Sequence, residues 1–381
     1  MRHKTIMCVA GETSGDMHAA RVIEALRFKN KKLIIFGMGG PLMKKAGMDV
    51  RHDLTRHALI GFWEVLKHYP AIKGLFKECE GWLWKEKPEL LVLVDFPGFN
   101  LRLAESAHRL GVPVCYYIAP KVWAWNEKRV GTMKKVIQKL LVIFPFEKTF
   151  FRNKGIKAVY VGNPLIEEMD LRAVNREAVL RKNGISASAF PLISAMPGSR
   201  RGEIEKIFPL YLEASRILRK TFPDAAFVIP KPQGLEFNNY KGLTPGDSFF
   251  FVEAPAYDLR KVCDAAWVKS GTSTLETALL KVPMVVVYKV AALTGFLAKR
   301  FIKIQNVSLV NLLADRTVVK ELLQEKADLK NLLEETLALL ENKTVRMNQI
   351  KAFEKIRKNI SKPPHASVNV AKEILALLNS K

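Results

Sequence analysis

Val268-Lys269-Ser270-Gly271-Thr272-Ser273-Thr274-Leu275-Glu276 is the stretch from which the architecture of this chain can be read. Ahead of it, Ala265-Ala266-Trp267-Val268 is a short apolar run that reads as a buried strand. Behind it, Leu275, Ala278, Leu279 and Val282 are spaced for one helix face. A strand, a tight turn and a helix leave several backbone N–H groups unpaired at the helix start. Those donors and the positive end of the helix dipole favour a negative group, phosphate above all. Gly271, Thr272, Ser273 and Thr274 are therefore candidate phosphate-binding residues. Glu276, one turn further in, is placed to accept from sugar hydroxyls. A plain Thr-capped helix is the competing reading, and the motif alone does not separate the two.

The same pattern occurs earlier. Leu192–Met196 reads as a strand, followed by Pro197-Gly198-Ser199-Arg200-Arg201-Gly202-Glu203-Ile204. Gly198, Ser199, Arg200, Arg201 and Glu203 join the candidates, because arginine offers a planar fork to phosphate oxygens. Two such turns in one α/β series point to a nucleotide diphosphate. Further strands are expected at 226–229, 249–252, 265–268 and 284–288. Downstream, Asn311 is a polar group inside the apolar run Val307–Leu313.

The first half alternates apolar runs with helical stretches: strands at 5–9, 33–36, 90–94, 114–117, 140–144 and 159–161. Continuous apolar strands separated by helices mean parallel sheets covered on both faces. Ligands bind such sheets beyond the carboxyl ends of the strands. After the first strand, Gly11–His18 crowds Glu12, Ser14, Asp16 and His18 into one turn. Asp16 is explained as the cap of the helix that follows; Glu12, Ser14 and His18 are left without a structural reason. The spacing is not GxGxxG, which disfavours a dinucleotide site. Gly37–Pro41 reads as a sharply bent loop. Asp95 stands at the end of a buried strand beside a Pro-Gly turn, a costly place for an acid unless it is bonded or used. It is the leading general-base candidate, with Glu12 and His18 as alternatives. Tyr116–Trp125 reads as a pocket wall or a packing corner, with Lys128 and Arg129 following for a phosphate.

A length of 381 residues exceeds one ordinary core. The expected division is 1–166 for a first domain and 167–360 for a second. Residues 361–381 are a terminal helix with the option of packing back on the first domain. Lys and Arg outnumber Asp and Glu by 61 to 37, a net charge of +24, which attracts anions without choosing among them. Four scattered cysteines suit a reduced, cytoplasmic setting, with neither a zinc site nor a disulfide framework. Neither a signal-peptide pattern nor a membrane span is visible, so any membrane contact is peripheral. Phe62–Trp63 with its basic neighbours, and Val290–Ile304, are the candidate lipid-facing stretches.

Seven motifs then occur in a telling order. They are GETSGD (Gly11–Asp16), VDFPGFN (Val94–Asn100), APKVWAW (Ala119–Trp125), MPGSRRGEI (Met196–Ile204), KSGTSTLE (Lys269–Glu276), PMVVVYK (Pro283–Lys289) and SLVNLL (Ser308–Leu313). As a set they closely resemble the lipid-A-disaccharide synthase family. The resemblance implies an α/β fold of GT-B type, two Rossmann-like doubly wound domains facing a central cleft. It implies an inverting glycosyltransferase that joins UDP-2,3-diacylglucosamine to 2,3-diacylglucosamine 1-phosphate at the cytoplasmic face of the inner membrane, releasing UDP. On that reading residues 1–166 bind the acceptor and 167–360 the UDP-sugar, the diphosphate meets the Gly198–Arg201 and Gly271–Thr274 turns, Glu276 serves ribose or sugar hydroxyls, and Asn311 orients the donor. Neither a cofactor nor a metal is called for, there being no Asp-x-Asp pair. Two departures stand out: Thr13 where the family has Ala, and Asn163 where it has His, which removes a titratable group there. A homodimer is compatible with the sequence. The alternatives left open are another GT-B enzyme such as a UDP-sugar epimerase and a non-catalytic basic peripheral membrane protein. Nucleic-acid binding has no signature in its favour.

Overall fold

The strand Thr5–Ala10 (β1) lies at the middle of the first sheet, with parallel partners on both sides. In this computed structural model, residues 4–53, 69–232, 239–289 and 306–380 are described. The other members of the sheet are Ile34–Gly39 (β2), Asp49–Asp53 (β3), Leu90–Val94 (β4), Val114–Tyr117 (β5), Lys139–Val142 (β6) and Ala158–Tyr160 (β7). Their order is β3-β2-β1-β4-β5-β6-β7, parallel throughout. Alternate side chains of each strand enter two separate core layers. Met7, Val9, Leu91, Leu93 and Tyr116 pack on one face; Ile6, Cys8, Val92 and Tyr117 pack on the other. Both faces are dry, which is why these strands read as unbroken apolar runs.

The second sheet comprises Leu192–Met196 (β8), Ala226–Lys231 (β9), Phe249–Glu253 (β10), Ala265–Lys269 (β11), Met284–Tyr288 (β12) and Glu321–Leu323 (β13). Its order is β10-β9-β8-β11-β12-β13, again parallel. Counted within the sheet this is 3-2-1-4-5-6, the Rossmann order. Trp267 of β11 is fully buried, lies against Phe227 and Tyr211, and donates its indole N–H to Thr336 Oγ1 at 2.9 Å. The strand carrying the phosphate-type turn is thus anchored at its middle by the largest side chain of this core.

The chain divides into two compact units, Met1–Glu168 with Ile360–Lys381, and Met169–Asn359. The last helix, Ala366–Asn379, places Val370, Ala371, Ile374 and Leu378 in the same core layer as Ile6 and Cys8. Lys139 Nζ meets Glu373 Oε2 at 2.8 Å, and Lys4 Nζ donates to the Leu378 carbonyl at 2.7 Å. Among the described residues no helix is long and apolar enough to cross a membrane. The lipid-facing stretches expected at Phe62–Trp63 and Val290–Ile304 lie outside the described residues.

Three local expectations are corrected. Gly37–Gly39 is not loop: it continues β2, with a register shift between Gly37 and Met38. The edge strands β3 and β13 were absent from the sequence reading, since Asp-Val-Arg-His-Asp is polar and Glu-Leu-Leu is too short to show a period. Asp16 does not cap its own helix. It lies in the first turn of Thr13–Lys29, and its buried carboxylate accepts from the Gly40, Leu42 and Met43 amides at 2.9–3.0 Å, so it caps the helix Pro41–Lys45 instead.

Candidate active site

Each sheet has one topological switch point, β1 beside β4 and β8 beside β11, where successive connections run to opposite sides. All four sequence motifs with candidate residues of this kind follow one of these strands.

In the first unit, β1 leads through Gly11 into the helix Thr13–Lys29, with Glu12 at the N-cap position. Gly11 is required there, because an added Cβ would sit 2.3 Å from the Phe96 ring. Glu12 and Ser14 are exposed at the helix start. Asp95 and Phe96, just after β4, both take left-handed backbone conformations at φ 49 and 47. For non-glycine residues that is stored strain of the kind found at working sites. It is held by bonds to one atom: the Asp95 carbonyl accepts from Tyr116 Oη at 2.5 Å and Asn100 Nδ2 at 2.8 Å. The Asp95 amide donates to the Tyr117 carbonyl at 3.0 Å. Every backbone group of the residue is thus fixed while its side chain looks into an open hollow of about 180 Å³, shared with Lys121, Asn126 and Arg129. Burial raises the Asp95 carboxyl above its ordinary value, and the Glu12 charge adds to this, against the opposing pull of Lys121 and His18. A carboxylate so raised is a better proton acceptor than a solvated one. His18 is engaged elsewhere: its Nδ1 lies 2.6 Å from Glu168 Oε1, with both side chains largely buried. Asn163 donates to the Ile143 carbonyl and accepts from the Leu165 amide, both at 3.1 Å, and so staples a turn.

In the second unit the two turns are neighbours, because β8 and β11 pair directly. Gly198 has φ 139, and a side chain there would collide with Glu203 Oε2 at 2.5 Å. Glu203 accepts from the Ser199 amide at 3.1 Å and from Lys269 Nζ at 2.8 Å, which ties the first turn to the last residue of β11. Burial works to raise the Glu203 carboxyl, but Lys269, the Ser199 amide and Arg200 outweigh it, and it stays ionised below its ordinary range. Glu203 is therefore a strut between the turns, not the ligand contact expected of it. Arg200 and Arg201 are exposed at the start of the helix Arg201–Thr221, paired with Glu203 at 3.5 Å and Glu205 at 2.8 Å. Their heads stand at the helix end that attracts anions.

At the second turn, Gly271 is the N-cap of Thr272–Leu279 and nothing crowds the space above it. Thr272 is exposed and Ser273 half-buried; the first N–H groups of a helix point outward from its end. Thr274 differs: it is buried, and its hydroxyl donates back to the Gly271 carbonyl at 2.8 Å, so it shapes the turn. Glu276 accepts from the buried Arg260 at 2.8 Å, while Arg260 also donates to Thr277. Asn311 is corrected outright. It is fully buried and its amide is consumed by the Val318 and Val319 amides, the Val319 carbonyl and Glu321, all at 2.7–2.9 Å. It braces the segment leading into β13 and has no group left for a donor sugar. Lys269, Arg260 and Lys121 were missed as site residues. Lys269 carried a signal, a lone cation closing an apolar strand; Arg260 lies 16 positions from Glu276 and could not be paired with it in advance.

Two doubly wound parallel units, each with its polar turns at the switch point, define the GT-B class of glycosyltransferases and related nucleotide-sugar enzymes. The fold is shared with UDP-GlcNAc 2-epimerase from Neisseria meningitidis bound to UDP-GlcNAc, at a TM-score of 0.61 and 16% identity over all of both chains. It is shared equally with the calicheamicin glycosyltransferase CalG4, at a TM-score of 0.61 and 14% identity over 100% of this chain and 99% of that one. Residues 6–375 match the family model described as lipid-A-disaccharide synthetase. The lipid-A-disaccharide synthase of Geobacter sulfurreducens is 40% identical over 84% of each chain, and that of Myxococcus xanthus 36% identical over 98% of this chain and 97% of its own. This chain belongs to the lipid-A-disaccharide synthase family, and so is a glycosyltransferase of lipid A biosynthesis.

Proposed function

We propose that the chain transfers a 2,3-diacylglucosamine unit from UDP to the 6-hydroxyl of 2,3-diacylglucosamine 1-phosphate, with inversion and release of UDP. The donor's diphosphate lies on the second unit. Gly198, Gly271, Thr272 and Ser273 present backbone amides to it, Ser199 offers its hydroxyl, and Arg200 and Arg201 add charge. Glu276, steadied by Arg260, accepts from ribose or sugar hydroxyls through its remaining oxygen. As the glycosidic bond breaks, negative charge grows on the leaving diphosphate. The helix end at Thr272 and the two arginines stabilise it where it develops. Asp95 takes the proton from the attacking hydroxyl, one general base being sufficient for a direct displacement. Glu12 sustains its raised basicity, and His18 in its pair with Glu168 has a positioning part.

The observation that carries this reading is the Lys269–Glu203–Ser199 link, which sets the β8 and β11 turns side by side. Two anion-favouring helix ends are thereby brought to one switch point, as a diphosphate needs and a single capped helix does not. Acylated substrates reside in a bilayer, so the chain works as a peripheral protein at an anionic membrane surface, to which its charge of +24 draws it. The test is incubation with both acylated glucosamine substrates and mass spectrometry of the products. A disaccharide phosphate with stoichiometric UDP is expected; UDP release without a disaccharide, or epimerisation of the donor, would remove the proposal.

A further inference from the structure

One wall of the hollow beside Asp95 is a strained turn held by a buried acid. Ile118, which follows β5, has a φ of 61, a costly left-handed conformation for a β-branched residue. The chain then runs through Pro120, Lys121 and Val122, which line the hollow together with Asp95. The Val122 amide donates to the Pro120 carbonyl at 2.7 Å, and the Ala124 amide to the Lys121 carbonyl at 3.0 Å. Trp123 ties this turn to a neighbouring element. Its indole N–H donates to Glu147 Oε1 at 3.1 Å, and its ring meets Phe146 edge-on at 5.0 Å.

Glu147 is the third residue of the helix Pro145–Asn153 and is fully buried. Its Oε2 accepts from the Ile143 and Phe144 amides, just after β6, at 3.2 and 3.1 Å. Its two oxygens are thus divided between the end of β6 and the wall of the hollow. Burial raises the carboxyl to about 7, against the indole, the two amides and Lys121. The charged and titratable groups facing it are Lys121 from the turn and Tyr160 from β7. Lys121 is also within charge reach of Asp95. Ionised, Glu147 works against the fold. A group kept at that cost, bracing a strained turn beside a reactive carboxylate, marks a working site rather than a packing corner.

We propose that Glu147 is a positioning residue for the acceptor: through the Trp123 indole it holds the Pro120–Val122 wall in the form that receives the sugar. The inference rests on the reaction proposed above, which brings the acceptor hydroxyl to Asp95, and adds a proton-linked control of acceptor binding. The physical reason is the supply of acceptor oxygens. Ionised, Glu147 accepts on both. A proton on either one puts a donor hydrogen on an atom whose bonded neighbours are donors, and the bond on that side weakens. Acceptor binding therefore tightens as pH rises through the range in which Glu147 ionises.

The test is KM for each of the two acylated substrates in Trp123→Phe, Glu147→Gln and the double variant, measured a unit below and a unit above about pH 7. Trp123→Phe keeps an aromatic ring against Phe146 and removes the indole donor. Glu147→Gln leaves one acceptor oxygen for three donors. On the high side each should raise the acceptor KM about tenfold, the scale of one hydrogen bond to a charged group, and leave the donor KM within about twofold. The double variant should match the worse single one, since both remove the same bond. In wild type the acceptor KM should fall several-fold from the low side to the high side, relative to the same ratio in either variant. Dividing by the variant cancels the titration of Asp95 and of the substrate's phosphate. An acceptor KM within about twofold of wild type in both single variants, or a parallel rise in both substrates' KM, overturns the positioning role while disaccharide formation stands. No disaccharide from wild type removes the reaction, and this inference with it. Thermal unfolding identifies a variant that does not fold; the other variant and the wild-type ratio then decide by the same criteria.

Discussion

Asp95→Asn separates chemistry from architecture. The turn that carries residue 95 is held through its backbone, by Tyr116, Asn100 and Tyr117, and none of these bonds touches the carboxylate. Asparagine also tolerates the left-handed conformation better than most residues, so the φ of 49 is retained. What disappears is the proton acceptor. The expected fall in kcat is about 10²- to 10⁴-fold, or roughly 3–5 kcal/mol of transition-state stabilisation. Stability moves the other way. The folded-state value of Asp95 is raised by burial and by Glu12, so its contribution to stability is fully present below the ordinary carboxylate range and is lost as pH rises through the raised value. At neutral pH the ionised group therefore works against the fold, and the variant should melt at the same temperature as wild type or higher. The assay is UDP release with saturating acylated substrates, with UDP affinity and thermal unfolding measured on the same samples. In wild type the acid limb of kcat/KM should lie above the ordinary aspartate range. Near-normal turnover refutes the role of Asp95; lost turnover with a parallel drop in melting temperature refutes the separation argued here.

Other substitutions probe the frame around the site. Lys269→Met breaks the strut to Glu203, leaving its half-buried carboxylate only the Ser199 amide and the longer contact with Arg200; UDP affinity should fall by at least tenfold, read by calorimetry, and Glu203→Gln in the same chain should recover part of it. Glu147 is raised from 4.5 to about 7 by burial, against the bonds from Trp123, Phe144 and Ile143. Its contribution to stability is full below 4.5 and is lost by about pH 7, a change of roughly 3 kcal/mol at 1.36 kcal/mol per pH unit. Urea unfolding of wild type and Glu147→Gln at pH values on either side of that window should show the slope in wild type only. Trp267→Ala empties the centre of the second core and removes the bond to Thr336; a loss of about 3–5 kcal/mol is expected in denaturant unfolding, and an unchanged midpoint would show that the anchor is dispensable.

Much of the architecture was legible because parallel strands buried on both faces leave a coarse signature. Leu90–Val94, Val114–Tyr117, Leu192–Met196 and Met284–Tyr288 were read to the residue. β3, with four polar residues of five, and β13, three residues led by a glutamate, leave no such trace and escaped. Candidate site residues were picked out where a polar group interrupts an apolar run, as Asp95 does after β4. That signal does not distinguish a side chain facing a ligand from one spent on its own backbone. Asn311 gave it as clearly as Asp95, yet its hydrogen bonds close inward.

The order of seven short motifs along the chain settled the family, since chemistry of this kind needs particular residue types at fixed distances after particular strands. Periodicity settled that there are two parallel sheets. Tertiary structure alone decided which turns are neighbours. Strand order puts β8 beside β11 and β4 beside β5, which brings Glu203 to Lys269 and Lys121 into charge reach of Asp95, and the packing of the helices on either side of β11 brings Arg260 to Glu276. Hydrogen bonding and charge act over a few ångströms in space, and the spacing of residues along a chain carries no measure of that distance until the sheet has formed.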